Sequence, residues 1–340
     1  MSNTFDEIIG QQAAVDMLRR LLTTGRVPHA LLFRGPESVG KGSVARIFAA
    51  ALFCEADGLE ACGSCRSCRA LASSSHPDFT CVEFEKRPSD GELRKEIVID
   101  QIRNLNHLAG VAPRQAPHRL FLIDPADRMN REAQNGLLKT LEEPPGNAVL
   151  ILVASRPHVL LPTVRSRCFS VGFSPLSPGD LTTMLGMRGL SPSESQARAA
   201  LAGGRPGTAL ELDLESMSER REELLKMLEA LARPTGRELG LLPAMGAALA
   251  GKDETHLVAG LELLQSLLRD TAISAAAPES ASSLVHLDLA QRLAALGARV
   301  GPGRAAKFVG AIDQARGYLR INVNRTLLAE SLLAEFATSG

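Results

Sequence analysis

Residues 30–53 constrain this chain more than any other stretch. An apolar run, ALLF (30–33), leads into the glycine turn GPESVGKGS (35–43), and KGSVARIFAAALF (41–53) then takes on helical character. Strand, glycine loop and helix in that order are the context a phosphate-binding loop of the form G-x-x-x-x-G-K-[ST] needs. Backbone N–H groups of such a turn, set at a helix N-terminus, cradle phosphate, and the lysine neutralises its charge. Gly35, Gly40 and Lys41 supply these parts. The next position should carry a hydroxyl for magnesium, and it carries Gly42. Ser43 comes one residue late; a helical step turns by about 100°, so its hydroxyl is expected to face elsewhere. On pattern alone, an ordinary glycine turn before a helix competes evenly with a phosphate loop. The strand-loop-helix context favours the loop.

The chain continues in the same alternation. FTCVEF (79–84), RLFLIDPAD (119–127), AVLILVAS (148–155) and CFSVGF (168–173) read as strands. NREAQNGLLKTLEE (130–143) reads as a helix N-capped by Asn130 and stopped by Pro144, Pro145 and Gly146. Largely apolar strands alternating with helices predict a parallel sheet covered on both faces. That α/β phosphate-loop domain is expected over residues 1–174. SPLSPGD (174–180) is a linker, a small helical lid domain is expected over 175–214, and Leu/Ala-rich amphipathic text from 215 to 340 predicts an all-α domain.

Three further constellations carry chemistry. In phosphate-loop ATPases an apolar strand ends in an Asp that helps hold magnesium, and in many a Glu follows to polarise the attacking water. Here Asp124 is followed by Pro125, and Asp127 could substitute only from two residues further on. A strand end capped by a helix-starting Asp competes evenly with residual magnesium binding. Cys54, Cys62, Cys65 and Cys68 form C-x7-C-x2-C-x2-C within one short window. Thiolates hold Zn²⁺ tetrahedrally, and four of them close the shell, so a structural zinc module is expected at about 54–68, with free or redox-active thiols as the alternative. Cys81, in a predicted strand, is expected to be a small buried hydrophobe. Finally, TVRSRC (163–168) places two arginines between predicted strands. Taken alone, they read as surface arginines paired with carboxylates.

Composition narrows the classes. Lysine plus arginine and aspartate plus glutamate both number 38, so formal net charge is zero, and aromatics are 4% with no Trp. A stand-alone nucleic-acid binder usually carries a basic excess, so any DNA contact is expected to be local or shared with partners. No apolar run approaches the roughly 18 residues of a membrane span. The opening MSNTFDEIIG lacks the pattern of a secretory leader, so a cytoplasmic location is expected.

Together GPESVGKG, CEADGLEACGSCRSC, LFLIDPADRMNREAQNGLLKTLEEPP and SRC resemble the AAA+ subunits of the bacterial clamp loader, and RINVNRTLLAESLLAEF (320–336) resembles the last helices of that family's collar. The resemblance spans nearly the whole chain and is weakest over 233–315. The family contains gamma/tau motor subunits that hydrolyse ATP and a rigid stator that does not. In the motor the loop ends Lys-Thr, the strand ends Asp-Glu, and a lid helix reads G-x-x-R-D-A-L. Here these are Lys41-Gly42, Asp124-Pro125 and GRPGTAL (204–210), which puts Gly207 at the nucleotide-touching arginine.

The resemblance therefore implies a stator with a degenerate nucleotide site at Gly35, Gly40, Lys41 and Asp124. No ATP hydrolysis is expected of it, and whether ATP still binds is left open. It implies that Arg167 of SRC, with Arg165 as fallback, is an arginine finger acting in trans. It also implies partnership with gamma/tau and delta subunits, and with the sliding clamp and primed DNA through the complex. Two rivals stay open: an active gamma/tau-like ATPase with a variant loop, and a zinc module that grips DNA directly.

Overall fold

The computed structural model describes residues 4–56, 58–86, 91–232, 236–277, 284–319 and 323–338. The chain divides into two compact units. The first is Met1–Gly189 with Gly204–Thr208; the second is Leu190–Gly203 with Ala209–Gly340.

The first unit is built on five parallel strands, β1 Ala30–Arg34, β2 Phe79–Val82, β3 Arg119–Ile123, β4 Ala148–Ala154 and β5 Phe169–Gly172, in the order β2-β3-β4-β1-β5. Every residue of β3 and β4 is buried, as expected of strands covered on both faces. Alternate residues feed opposite layers. Leu31 and Phe33, with Val149, Ile151 and Val153, join the layer that includes residues of α1 (Gln12–Thr24) and α2 (Lys41–Phe53). Ala30 and Leu32, with Leu150 and Leu152, pack with residues of α4 (Ile99–Ala109) and α5 (Arg131–Glu142). Each fully buried aliphatic side chain contributes about 1.5–3 kcal/mol, so this central sheet is a stiff mount for the loops at its strand ends. Short α3 (Arg66–Ala72) and α6 (Pro162–Arg165), and then α7 (Pro178–Met187), complete the helices lying wholly in this unit.

Asn130 caps α5 as expected, its Oδ1 accepting from Ala133 N at 2.8 Å. Two strands are shorter than their apolar runs: β2 stops at Val82, and β5 begins after Cys168. Cys81 departs from expectation. It is half-buried rather than buried, and its thiol donates to Glu83 Oε1 at 2.8 Å.

The second unit is helical. It contains α8 (Pro192–Leu201), α10 (Leu214–Leu231), α11 (Gly236–Gly240), α12 (Leu242–Ala250), α13 (Glu254–Ala276), α14 (Ala290–Tyr318) and α15 (Arg325–Thr338). Between α8 and α10 in sequence, α9 (Pro206–Glu211) crosses the division between the units. Leu224, Leu225 and Leu228 recur at helical spacing and share a core with Leu264, Leu268, Leu293, Phe308 and Phe336. α14 breaks at Gly301, where φ is +74° ahead of Pro302. Residues 320–322 of the collar-like ending lie outside the described residues.

Candidate functional site

The strand order sets β4 between β1 and β3. The carboxyl ends of three adjacent parallel strands therefore meet at one edge, the usual place for a ligand in an open α/β sheet. The glycine loop follows β1, Asp124 follows β3 and Ser155 follows β4. Gly35 must be glycine: its φ is +154°, and a Cβ there would overlap the Phe173 carbonyl. Gly40, at φ +95°, is the N-cap of α2.

Lys41 is buried, 4% exposed. Its Nζ donates to Gly35 O at 2.8 Å, Pro36 O at 2.5 Å and Ser155 Oγ at 3.0 Å. An ammonium has three donors, and all three are engaged within the chain. Burial lowers the lysine's pKa, opposed by Asp124, Asp127 and Glu37. The loop is tied down elsewhere too. Gln11 Nε2 donates to Val39 O at 3.4 Å and to Ser174 O at 2.7 Å, and Gly207 N donates to Ser38 O at 3.0 Å. A Cβ on Gly207 would stand 3.1 Å from Ser38 Cβ. The position expected to correspond to a nucleotide-touching arginine is thus a close backbone approach to the loop.

Gly42 faces Asp124: a Cβ built there meets the Asp124 Oδ2 atom. Ser43 is exposed. A hydroxyl for a metal would therefore have to stand at residue 42, opposite the aspartate. Burial raises the Asp124 pKa above its ordinary value, with Lys41 and Arg46 opposing. Asp127 is not available as a substitute water-polarising acid. It is 5% exposed, accepts from Ser155 N at 3.2 Å, and pairs with Arg156 Nε at 3.2 Å. Its carboxylate fastens the end of β4.

Arg165 ends α6, and Arg167 lies on the turn from α6 into β5. Arg165 is exposed. Arg167 NH1 donates to Thr163 O at 3.0 Å, and its NH2 lies 2.8 Å from Glu142 Oε1 at the C-terminus of α5.

At the other end of α2 the four cysteines converge. Cys54 is the C-cap of α2, and Cys65 is the N-cap of α3. The four Sγ atoms all lie within 4.8 Å of one another. Three sulfurs accept backbone N–H groups at 3.3 Å: Cys54 from Cys62, Cys62 from Cys65, and Cys65 from Cys68. The Ser64 hydroxyl and neighbouring N–H groups pull the Cys62 thiol down to about 6, while burial pushes Cys68 up to about 12. A bound cation would override the latter, since a coordinating thiol loses its proton outright. Zinc–sulfur bonds of about 2.3 Å put sulfurs about 3.8 Å apart, so a slight contraction closes the shell. Four soft donors arranged this way fit a metal. Glu60 fastens the segment to the unit by accepting from Phe5 N at 2.7 Å and from Arg19 NH2 at 2.7 Å. Glu55 holds the two ends of the segment together by accepting from Ser67 Oγ at 2.9 Å.

A family model described as "DNA polymerase III, delta subunit" matches residues 10–177. DNA polymerase III subunit delta' of Pseudomonas aeruginosa is 35% identical over 210 residues, which are 60% of this chain and 62% of that protein. The subunit of the same name in Bacillus subtilis is 28% identical over 324 residues, 95% of each chain. This chain belongs to the family of DNA polymerase III delta-prime subunits. A DNA polymerase III subunit gamma/tau of Mycobacterium tuberculosis is 28% identical over 356 residues, 97% of this chain and 60% of that protein. This chain is therefore similar to a gamma/tau subunit along nearly all of its own length.

The structure brings Gly35, Gly40, Lys41 and Asp124 to one sheet edge and the four cysteines to one cluster. It leaves Arg167 on the separate turn before β5. Sequence reasoning missed Ser155 and Glu142. Ser155 ends a wholly apolar strand, a position that could have flagged it. Glu142 carries no signal, because its partner lies 25 residues away on another element.

Proposed function

We propose that this chain is a non-hydrolysing stator subunit of the bacterial replicative clamp loader. It sits beside a gamma/tau motor subunit in a ring that also holds delta. Arg167 reaches in trans to the neighbour's ATP during loading of the sliding clamp onto primed DNA. One observation carries the non-hydrolysing part: the Lys41 ammonium is fully engaged by Gly35 O, Pro36 O and Ser155 Oγ. Hydrolysis would need that charge on phosphate, a magnesium hydroxyl beside it and a polarising acid. Gly42 has no side chain, and Asp127 is committed to Arg156 and Ser155 N. Membership of the family supports the setting, and the neutral net charge suits DNA contacts that are shared.

The cysteine cluster is a structural zinc module. Its four sulfurs leave no open coordination position, so zinc's contribution there is to tie the end of α2 to α3. The helical second unit supplies the collar that joins the ring. Among the described residues no helix is long and apolar enough to cross a membrane, and we place the protein in the cytoplasm with its replication partners.

In this reading Arg167 stabilises charge on the γ-phosphate as it is transferred. The test is ATP turnover by the reconstituted complex with clamp and primed DNA, comparing wild type with Arg167→Ala after gel filtration confirms assembly. Turnover at the adjacent motor site should fall by about 10²-fold or more, so total turnover falls by at least that site's share. Unchanged turnover in an intact ring would remove the finger role.

A further inference from the structure

Arg167 is held in its own chain by two contacts of different kinds. Its NH1 donates to the Thr163 carbonyl at 3.0 Å, and its NH2 pairs with Glu142 Oε1 at 2.8 Å. Thr163 belongs to α6 and Glu142 ends α5, two helices that pack on each other. The arginine side chain is 35% exposed and the glutamate 50%, so solvent, and hence a partner, can reach the pair. Among the described residues Arg167 is the one partner of the Glu142 carboxylate.

The neighbouring pair Arg156–Asp127 is built differently. Its carboxylate is 4% exposed and is also fixed by Ser155 N. That pair is part of the frame, whereas the Glu142 contact can open without disturbing a buried group.

A guanidinium offers five N–H donors and one charge. With Glu142 in place, the charge is compensated and two donors point inward. An arginine in that state gives a γ-phosphate less than its full field. We propose that Glu142 is a latch that parks Arg167, and that a triphosphate presented by the neighbouring subunit displaces the carboxylate. This rests on Arg167 being the trans-acting arginine. A terminal phosphate carries more charge and more acceptor oxygens than one carboxylate, and it offers the guanidinium paired acceptors in a fork. An exposed ion pair of this kind shifts an equilibrium by at most about fivefold. The latch therefore biases the resting state and yields once nucleotide and partners are in place.

The experiment uses the reconstituted complex with wild type, Glu142→Gln, Arg167→Ala and the double variant, each checked for assembly by gel filtration. ATP turnover is measured without clamp and DNA, and again with both at saturation. Glu142→Gln should raise the unstimulated rate at the adjacent motor site by up to about fivefold and leave the stimulated rate unchanged, so the stimulation ratio falls. The rise should vanish when Arg167→Ala is added, which a general loosening of the fold would not produce.

If Arg167→Ala lowers turnover while Glu142→Gln leaves the ratio unchanged, the finger stands and the latch is overturned. A lower rate in Glu142→Gln also overturns it, since the glutamate would then orient the arginine for catalysis. No effect of Arg167→Ala removes the finger role, and the latch with it.

Discussion

The two ends of α2 make opposite use of their functional atoms. At the N-terminus a phosphate-type loop keeps Gly35, Gly40 and Lys41, but the lysine's donors are all engaged by the loop itself and by Ser155. At the C-terminus Cys54 begins a set of four sulfurs that converge within 4.8 Å, three of them accepting backbone N–H groups. The same helix thus links a site that has turned inward to one still arranged to receive a ligand. A motif's residue types say what chemistry is available. Whether their polar atoms are already committed says whether it is used.

The largest test bears on the cysteine end. Elemental analysis should find one zinc per chain, lost in Cys62→Ser. Structural zinc sites are worth about 10–16 kcal/mol in isolated peptides. Most of the first unit's core lies outside the module, so chelation or Cys62→Ser should cost a fraction of that, at least about 3 kcal/mol in urea unfolding. A chain that purifies without metal and loses no stability in Cys62→Ser would break the comparison at this end.

The next effect bears on the other end. Lys41→Met keeps the buried stem but strips three acceptors of their donor, and should cost about 1–3 kcal/mol with no nucleotide present. A lysine kept only for phosphate would show little loss of stability.

The smallest effect sharpens the contrast through pH. Burial raises the Asp124 pKa above its ordinary 3.8, so the folded state holds this proton more tightly than the unfolded state does. Stability is then lost as pH rises from 3.8 through the raised value. Asp124→Asn should therefore be more stable than wild type at pH 7, with the gap closing as pH falls toward 3.8. An aspartate that still gripped magnesium would give the reverse at pH 7 when magnesium is added.

Much of the frame was legible locally. Apolar runs gave β1, β3 and β4 nearly to the residue, because wholly buried parallel strands need continuous apolar text. Asn130 was legible as a cap, because Asx side chains satisfy the first free N–H groups of a helix. The short cysteine spacings were legible because turns bring such residues together without help from the rest of the fold. Asp127 was not: its distance from Asp124 in sequence left open a catalytic substitute, and only the approach of β4 brought Ser155 N and Arg156 onto it. Glu142 was invisible for the same reason.

By itself the sequence determined the α/β frame with its helical continuation, the convergence of four thiols and the absence of a hydroxyl after Lys41. These depend on residue type and on neighbours within a turn or two. Only the tertiary structure decided that Lys41 is closed on Ser155, that Gly207 lies against Ser38, and that Arg167 rests on Glu142. Each of these joins elements far apart in the chain, and hydrogen bonds and ion pairs act over a few ångströms, a distance that the order of residues does not encode.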